Sequence, residues 1–528
     1  MEEPDSNAVD GGAKSSSGAL LEARQNDVAR NAYSFQQPAG AGGKSQAEPI
    51  FLQPQQEEEQ FKPLRQRIDM RLPDQVVGAI IEKFGGADVP KAFIDRVNAA
   101  AGAIFGNAGK GEEQALASAF GSSQRLRSLL INMPEEMAEL SGCAGSGTAR
   151  MLNYLSNPNN AKALEQHMGF YLEITKHAGA DADRAFRYIP TARYGELVKP
   201  FEGQLARVAA AAGTGSYMAF MAIFDFDFYK AQGTYGHYKV DLGTYGMFRE
   251  NPEEFARAAE LHGKDAQVYF KLAAIYGALP TDAEIQKKAE VFLELGLDWA
   301  EMGDREILDN VYLTATGQAQ MEGRKLAFVV ITKDDAQGSF TGDQALYHSL
   351  MEQGYNLIIC QAGNEDEVAE RFFNYGRLAK DSGKNGHFRQ AGAHLTYDFA
   401  IFGAHGTFGS MGFGATEGEK SEIDLSDYDE MRAKGDWESM MSKNAVALLH
   451  SCSTGYESEL GKEGRFQNIR DMIGPLLNRD VFAPRIESHV HGLVFDESGY
   501  VGDVVWREDR HEGGSGPRTG TKYGAPGK

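Results

Sequence analysis

The chain has 528 residues, 42% of them hydrophobic, so it is long enough for two globular domains with flexible ends. Its 53 lysines and arginines against 75 aspartates and glutamates give a net charge of −22, which disfavours nucleic acids and anionic membrane surfaces as partners. The three cysteines are widely spaced, which excludes a disulfide framework or a Cys-x-x-Cys zinc site and favours a reducing, cytoplasmic setting.

Both ends of the chain are predicted to be flexible. Residues 1–60 are rich in Gly, Ser, Gln and Glu, and residues 509–528 are rich in Gly, so neither segment has enough apolar side chains to offset the entropy of ordering. The N-terminus lacks the basic and apolar regions of a secretory signal. The apolar stretch 216–229 contains Asp225 and Asp227 and is shorter than the ~20 residues of a spanning helix. We therefore expect neither a signal peptide nor a membrane segment.

Residues 61–323 are predicted to form a helix-rich domain. The sequence NPEEF places Asn251 at a helix N-cap and Glu254 at the matching position of a capping box. The sequence TDAE repeats this pattern with Thr281 and Glu284, ahead of a segment whose apolar residues recur at helical spacing. No repeat of 30–40 residues is apparent. Helices alone do not identify a binding partner. A regulatory protein is the partner predicted for this region.

From residue 324 short apolar runs alternate with helical stretches. The runs predicted as strands are KLAFVVIT, YNLIICQA, YDFAIFGAHG, AVALLHSC, DVFAP and a final pair around GLVFDESGYVGDVVW. Strands that alternate with helices are typical of a parallel sheet covered on both faces. The predicted fold class over residues 324–508 is therefore α/β, with a mainly parallel sheet flanked by helices and preceded by the helix-rich domain.

An acid-rich insert follows the third predicted strand. A charge run of this kind is most simply a solvated, mobile loop. Its acidic residues are Glu417, Glu419, Glu422, Asp424, Asp427, Asp429 and Glu430.

Two of the predicted strands end in residues of types that are common in catalytic sites. One ends in His405-Gly406, and another, 47 positions later, delivers Cys452. Functional side chains gather beyond the carboxyl ends of parallel strands, and consecutive strands are usually neighbours in a sheet. We therefore expect His405 and Cys452 to lie close together.

A thiol beside an imidazole is a pattern for nucleophilic catalysis. The imidazole of His405 accepts the proton of the Cys452 thiol and stabilises the thiolate. The backbone N–H groups of Gly406 and Cys452 are then expected to supply two donors for a tetrahedral oxyanion. This chemistry needs neither a metal nor another cofactor.

These residues resemble the caspase-like (clan CD) cysteine peptidases, in which an apolar strand ending in His-Gly precedes a strand ending in Ser-Cys or Ala-Cys. The likeness covers roughly residues 324–506, and LLHSCSTG looks most like the nucleophile strand of CHAT domains. The resemblance implies a cysteine endopeptidase that acts on protein or peptide substrates. It assigns the general base to His405, the nucleophile to Cys452 and the oxyanion hole to the backbone of Gly406 and Cys452.

The resemblance also points to a substrate pocket. Asp334 and Asp335 end the first strand, near where relatives build part of the pocket for the residue before the cut. His450 lies two positions before Cys452, on the same strand face, where several relatives carry an Asp. Acidic walls favour cationic peptides, so cleavage after Arg or Lys is expected.

Three other interpretations stay open. The domain could be a catalytically silent caspase-like module that binds proteins. His489 and His491 share one strand face and could bind a metal together with Cys452, although no further ligand is evident. A flavodoxin-like regulatory domain would need a phosphate-binding Gly-rich turn after the first strand, and TKDDAQGSFTG is a poor match. Cys360 and Cys143 have no comparable partner and are expected to be structural.

Overall fold

The computed structural model describes part of the chain. The described residues are 62–86, 88–109, 111–191, 193–224, 244–297, 304–320, 322–333, 344–376, 396–407, 409–414, 421–452, 454, 465–484, 488–508 and 521–523. The predicted disordered segment 1–60 lies outside them. None of the helices within these ranges has both the length and the apolar character needed to cross a membrane.

Helices dominate the chain before the sheet, as predicted. They are α1 (Asp74–Phe84), α2 (Lys91–Asn107), α3 (Glu113–Ser122), α4 (Gln124–Asn132), α5 (Pro134–Ala144), α6 (Thr148–Leu155), α7 (Pro158–Gln166), α8 (Met168–Ala178), α9 (Ala182–Arg187), α10 (Tyr194–Leu197), α11 (Glu202–Ala212), α12 (Ser216–Phe224), α13 (Thr244–Glu250), α14 (Pro252–His262), α15 (Ala266–Tyr276), α16 (Ala283–Glu294) and α17 (Arg305–Ala315).

Strands and helices then alternate. In chain order the elements are β1 (Lys325–Thr332), α18 (Gln344–Glu352), β2 (Tyr355–Ala362), α19 (Glu365–Gly376), β3 (Tyr397–Gly403), β4 (His405–Gly406), β5 (Ser410–Gly412), β6 (Glu422–Asp424), α20 (Tyr428–Ala433), β7 (Met441–His450), α21 (Ile469–Leu477), β8 (Asp480–Ala483), β9 (Ser488–Phe495), β10 (Val501–Glu508) and β11 (Thr521–Tyr523).

The chain forms two compact units. One contains residues 1–202 and 224–246, and the other contains residues 203–223 and 247–528. The predicted border after residue 323 therefore lies inside the second unit.

The helices just before the sheet share its hydrophobic core. On α17, the Asn310 side-chain oxygen accepts a hydrogen bond from the Leu357 N–H of β2 at 2.8 Å. After α16, the Leu295 carbonyl accepts from the Gln361 N–H at 3.1 Å. These bonds tie the last helices of the helix-rich segment to an outer parallel strand of the sheet.

One structural motif occurs four times among the described residues before the sheet. In each copy an 11-residue helix is followed by a three-residue 3-10 turn, whose first residue is a glycine with positive φ, and then by the next helix. The helices are α5, α8, α11 and α14, and the glycines, with φ from 53° to 60°, are Gly145, Gly179, Gly213 and Gly263. The first three helices start 34 residues apart and the fourth starts 50 residues after the third. The prediction that the chain lacks a repeat of 30–40 residues is therefore wrong.

The four copies form two pairs. In the first and third copies the turn ends in a glycine, Gly147 or Gly215, and in the other two it ends in aspartate. A methyl group on Gly147 would lie 2.2 Å from the carbonyl oxygen of Ala180, in the turn of the second copy. A methyl group on Gly215 would lie 3.1 Å from Cβ of Lys264, in the turn of the fourth copy. Glycine is thus required at position 147 because two backbones approach each other there, and the approach at Gly215 is close but less severe.

A buried hydroxyl closes the turn in the first and third copies. Thr148 Oγ1 lies 2.6 Å from the carbonyl oxygen three residues earlier and 3.1 Å from the one seven residues earlier. Ser216 Oγ bonds to the equivalent two carbonyls, the second at 3.2 Å. Both side chains are fully buried, so their polar groups are paired within the protein.

The predicted helix caps are only partly correct. Asn251 does occupy the N-cap position of α14, but its side-chain amide donates to the carbonyl four residues earlier. Glu254 accepts a hydrogen bond from the Thr281 hydroxyl and takes no part in a capping box. Asp282, not Thr281, caps α16 by accepting from the Glu284 N–H at 2.8 Å. The bond between Thr281 and Glu254 joins distant segments, whereas the bonds of Asn251 and Asp282 are local but differ from those that the sequence suggested.

The main sheet has six strands in the order β11-β8-β7-β3-β1-β2. The strands β8, β7, β3, β1 and β2 are parallel, and β11 is antiparallel to β8. Every residue of β2 is buried, as expected for a strand that is covered on both faces. The predicted α/β class with a parallel sheet flanked by helices is confirmed.

Two further strand pairs complete the second unit. The predicted final pair is confirmed: β9 and β10 run antiparallel as a separate two-stranded sheet. Within the tail expected to be flexible, residues 509–528, Thr521–Tyr523 form the edge strand β11, with Lys522 opposite Phe482. For these three residues the backbone pairing with β8 replaces the flexibility inferred from composition.

Candidate functional site

The strands that end in His405 and Cys452 are neighbours, as predicted. In the parallel pair of β3 and β7, Gly403 lies opposite His450, and the Ala404 N–H donates to the His450 carbonyl at 3.2 Å. His405 lies two residues after Gly403, and Cys452 lies two residues after His450. The register therefore delivers both residues to the same edge of the sheet, at the carboxyl ends of its strands.

Gly406 packs directly against the turn after β7. We call residues 451–454 the cysteine turn; Ser453 within it lies outside the described residues. A methyl group on Gly406 would lie 2.0 Å from Ser451 Oγ, 3.0 Å from Thr454 Cγ2 and 3.2 Å from the Cys452 carbonyl oxygen. A larger residue at this position would force the Ser451 side chain to move. The backbones of the His-Gly and Ser-Cys dipeptides are therefore side by side, while the bond between imidazole and thiol stays a prediction.

His405 is exposed and belongs to a small antiparallel sheet, β4-β5-β6. This sheet is attached to the carboxyl ends of β1 and β2. The Thr332 hydroxyl donates to the Phe413 carbonyl at 2.9 Å, and a methyl group on Gly414 would lie 2.6 Å from the Gly363 carbonyl oxygen. His405 therefore lies on a small sheet that is held by contacts with the main sheet, and not at the free end of a strand.

The acid-rich insert is more ordered than predicted. Glu417 and Glu419 lie outside the described residues, but Glu422 and Asp424 belong to β6. Asp427 precedes α20, and its carboxylate accepts the Asp424 N–H at 2.7 Å. Asp429 and Glu430 lie in the first turn of α20. For its described part, the prediction of a mobile loop is wrong because pairing with β5 and the helix α20 order the chain.

The three thiols differ in their surroundings. Cys452 is half-buried at the strand edge. Cys360 is fully buried in β2, and burial raises its pKa to about 12. Burial also raises the pKa of the half-buried Cys143. Thiolate formation is therefore suppressed at both cysteines that were expected to be structural.

The proposed pocket residues have mixed outcomes. His450 is the last residue of β7 and is only 4% exposed, so it lies inside the sheet edge rather than on an open pocket wall. Asp334 and Asp335 lie outside the described residues. The acidic wall of the substrate pocket therefore stays a prediction.

The carboxylates that come together elsewhere are already paired with a lysine. Among the described side chains, Glu365, Asp366 and Glu430 are the group whose oxygens could converge on one metal ion. Lys434 Nζ lies between them, 3.0 Å from Glu365 and 2.7 Å from Asp366, and supplies the positive charge. His491, considered above as a metal ligand, is exposed on β9 in the separate two-stranded sheet; the side chain of His489 lies outside the described residues.

Three residues near Cys452 were not identified from the sequence. Ser451 Oγ, Thr454 Oγ1 and Asn468 Nδ2 are buried and have no hydrogen-bond partner among the described residues. Asn468 precedes α21 and caps it by accepting the Asp471 N–H at 3.0 Å. A cap-type residue before an apolar helix is a readable signal, but its unused amide is visible only in three dimensions.

No protein-family model, curated protein or solved structure matches this chain. The functional argument therefore depends on the geometry of the sheet edge and on the chemistry of its residues.

Proposed function

We propose that the chain is a cysteine endopeptidase with a caspase-like catalytic domain. The observation that carries this proposal is the placement of His405-Gly406 beside Ser451-Cys452 at the ends of two neighbouring parallel strands. A histidine and a half-buried cysteine at such an edge are the minimum set for thiol catalysis.

In the proposed reaction, His405 takes the proton from the Cys452 thiol, and the thiolate attacks the peptide carbonyl carbon. The backbone N–H groups of Gly406 and Cys452 stabilise the resulting oxyanion. The C–N bond then breaks, and the imidazolium passes its proton to the leaving amine. Water, deprotonated by the same imidazole, cleaves the thioester, and the thiol of Cys452 is re-formed.

The substrate side of the proposal is a protein or peptide, with a regulatory partner for the helical repeats and a cytoplasmic location. A preference for Arg or Lys before the cut is part of the proposal, and its support is the sequence position of Asp334 and Asp335. No cofactor is required by the chemistry.

The test is cleavage of a proteome-derived peptide library by the purified full chain. Cys452→Ala should abolish cleavage, because the nucleophile is gone, and His405→Ala should reduce it by about 10²–10⁴-fold. Cys143→Ala is the matched control and should retain wild-type activity. The residue before each cut reports the basic preference in the same assay.

A labelling experiment separates an enzyme from a catalytically silent domain. An electrophilic peptide probe should modify Cys452 far faster than Cys143 or Cys360 at pH 7.5. Equal, slow labelling together with an inert wild type would favour the binding module, and full activity of Cys452→Ala would reject the proposed nucleophile.

A further inference from the structure

The buried polar groups behind the cysteine turn lack partners. Ser451 is 3% exposed, and Thr454 and Asn468 are not exposed at all. Their polar atoms Oγ, Oγ1 and Nδ2 find no hydrogen-bond partner among the described residues. An unpaired buried polar group costs about 1–3 kcal/mol, and native proteins rarely leave one unpaired. Three such groups lie on segments that contact one another, so one small bound molecule would pair groups that the described residues leave unpaired.

The segments that carry the three groups contact one another. Ser451 Oγ and Thr454 Cγ2 lie 2.0 and 3.0 Å from the point where a methyl on Gly406 would be. The Thr454 carbonyl accepts from the Arg470 N–H at 3.3 Å, and Asn468 is the cap residue two positions before Arg470. The cysteine turn, the His-Gly dipeptide and the start of α21 therefore meet here.

The chemistry of these groups selects the partner. The unpaired Asn468 atom is the amide nitrogen Nδ2, which can only donate, and a donor of this kind disfavours a metal cation. The guanidinium of Arg470 is bonded to the Asp471 carboxylate at 2.7 and 2.9 Å, so an anion would be buried beside a charge that is already neutralised. A neutral molecule that both donates and accepts fits all three groups. Water needs two to four polar partners in a buried site, and three are present.

We propose that Ser451, Thr454 and Asn468 bind an internal water molecule that joins the cysteine turn to the N-terminus of α21. The water completes the hydrogen bonding of the turn, and it holds the Ser451 hydroxyl in the position against which Gly406 packs. Ser451, Thr454 and Asn468 are then positioning residues for the backbone of Gly406 and Cys452. This last step rests on the proposed peptidase function, whereas the water site itself does not.

The test uses the full chain and the nearly isosteric variant Thr454→Val. If the hydroxyl binds water, its loss should lower the melting temperature by roughly 2–6 °C, because the water and the Asn468 amide lose a partner. Ser216→Ala, which removes a hydroxyl with visible partners in the same compact unit, is the matched control and should shift the melting temperature in the same direction. An unchanged or raised melting temperature of Thr454→Val would overturn the proposal, since removal of an unpaired buried hydroxyl is neutral or stabilising.

A high-resolution crystal structure gives the second readout. Density for a water within hydrogen-bond distance of Thr454 Oγ1 and Asn468 Nδ2 is expected, and a dry site or a different occupant would overturn the proposal. For the positioning role, alkylation of Cys452 across pH 6–9 should be slowed about 3–10-fold in Thr454→Val and unchanged in Ser216→Ala. Both stability and density remain informative if the wild type cleaves no peptide.

Discussion

Buried hydroxyl groups are treated differently in the helical repeats and in the cysteine turn. Thr148 and Ser216 are fully buried, and each bonds to two backbone carbonyls of its own turn. Ser451 and Thr454 are equally buried and have no partner among the described residues. Buried hydroxyl groups of the same residue types therefore have hydrogen-bond partners where they close a structural repeat. At the candidate site they have none among the described residues.

The contrast concerns these four positions, because Tyr171 and Thr244 in the helical segment also carry buried hydroxyls with no partner among the described residues. A protein that is consistent at every level satisfies its buried polar groups within the chain, and departures cluster at sites that bind something. Close glycine contacts occur in both regions, at Gly147 and at Gly406. In the repeat the neighbour is backbone, whereas at the site the nearest neighbour is a side chain. The following experiments test this contrast.

The largest loss of stability is expected for Gly147→Ala. Its methyl would lie 2.2 Å from the Ala180 carbonyl oxygen and 2.8 Å from the carbonyl carbon, and backbone cannot rotate away. The free energy of unfolding should fall by about 3 kcal/mol. Gly406→Ala should cost less, because the Ser451 hydroxyl can turn aside, and Ser451→Gly should restore part of the loss. Denaturant unfolding measures all three variants.

The control for the glycine contacts is Gly142→Ala. Gly142 lies in α5, where a methyl would have its nearest neighbour, Asn107 Nδ2, at 4.0 Å. Alanine should stabilise this helix position by about 0.5–1 kcal/mol relative to glycine. If Gly147→Ala is as stable as Gly142→Ala, the close pairing of the two turns is wrong.

Loss of the repeat hydroxyls is expected to have an intermediate effect. Thr148→Val and Ser216→Ala each remove two bonds to the turn and should lower the free energy of unfolding by about 1 kcal/mol. Ser118→Ala, on the exposed side of α3, should stay within about 0.5 kcal/mol of wild type. Unchanged unfolding midpoints in Thr148→Val and Ser216→Ala would remove the contrast with the cysteine turn.

The smallest effect concerns His262, a half-buried histidine at the end of α14. Its Nε2 is unpaired among the described residues, its ring stacks on Tyr269 at 3.6 Å, and burial lowers its pKa. The unfolded chain therefore takes up a proton first as the pH falls below about 6.5, and stability drops with it. His262→Phe keeps the stacking and should show a shallower loss of melting temperature between pH 7 and 5. Identical pH profiles would contradict this prediction.

Much of the sheet could be predicted because its strands are apolar runs with clear ends. Tyr397–Gly403 and Met441–His450 both end just before the predicted site residues, and their pairing follows from chain order. The proximity of His405 and Cys452 could be predicted for the same reason.

The repeats and the polar junction could not be predicted. The four copies share a helix length, one glycine and a few flanking residues, such as the Pro-Glu-Glu that begins both α5 and α14, and this sparse pattern was not recognised in the sequence. The strands β5 and β6 have three residues each and depend on tertiary bonds such as that from Thr332 to Phe413. The proximity of Thr454 and Asn468 is visible only in the folded structure, where the cysteine turn contacts the start of α21. In each case a contact distant in sequence decides the structure.

The edge strand β11 has a consequence for handling the protein. By pairing with β8 it covers backbone N–H and C=O groups that would otherwise act as a template for another chain. A version shortened before Thr521 would keep His405 and Cys452 but expose this edge to intermolecular pairing. Aggregation of such a version could be mistaken for loss of the proposed activity, so the activity assays should use the full chain.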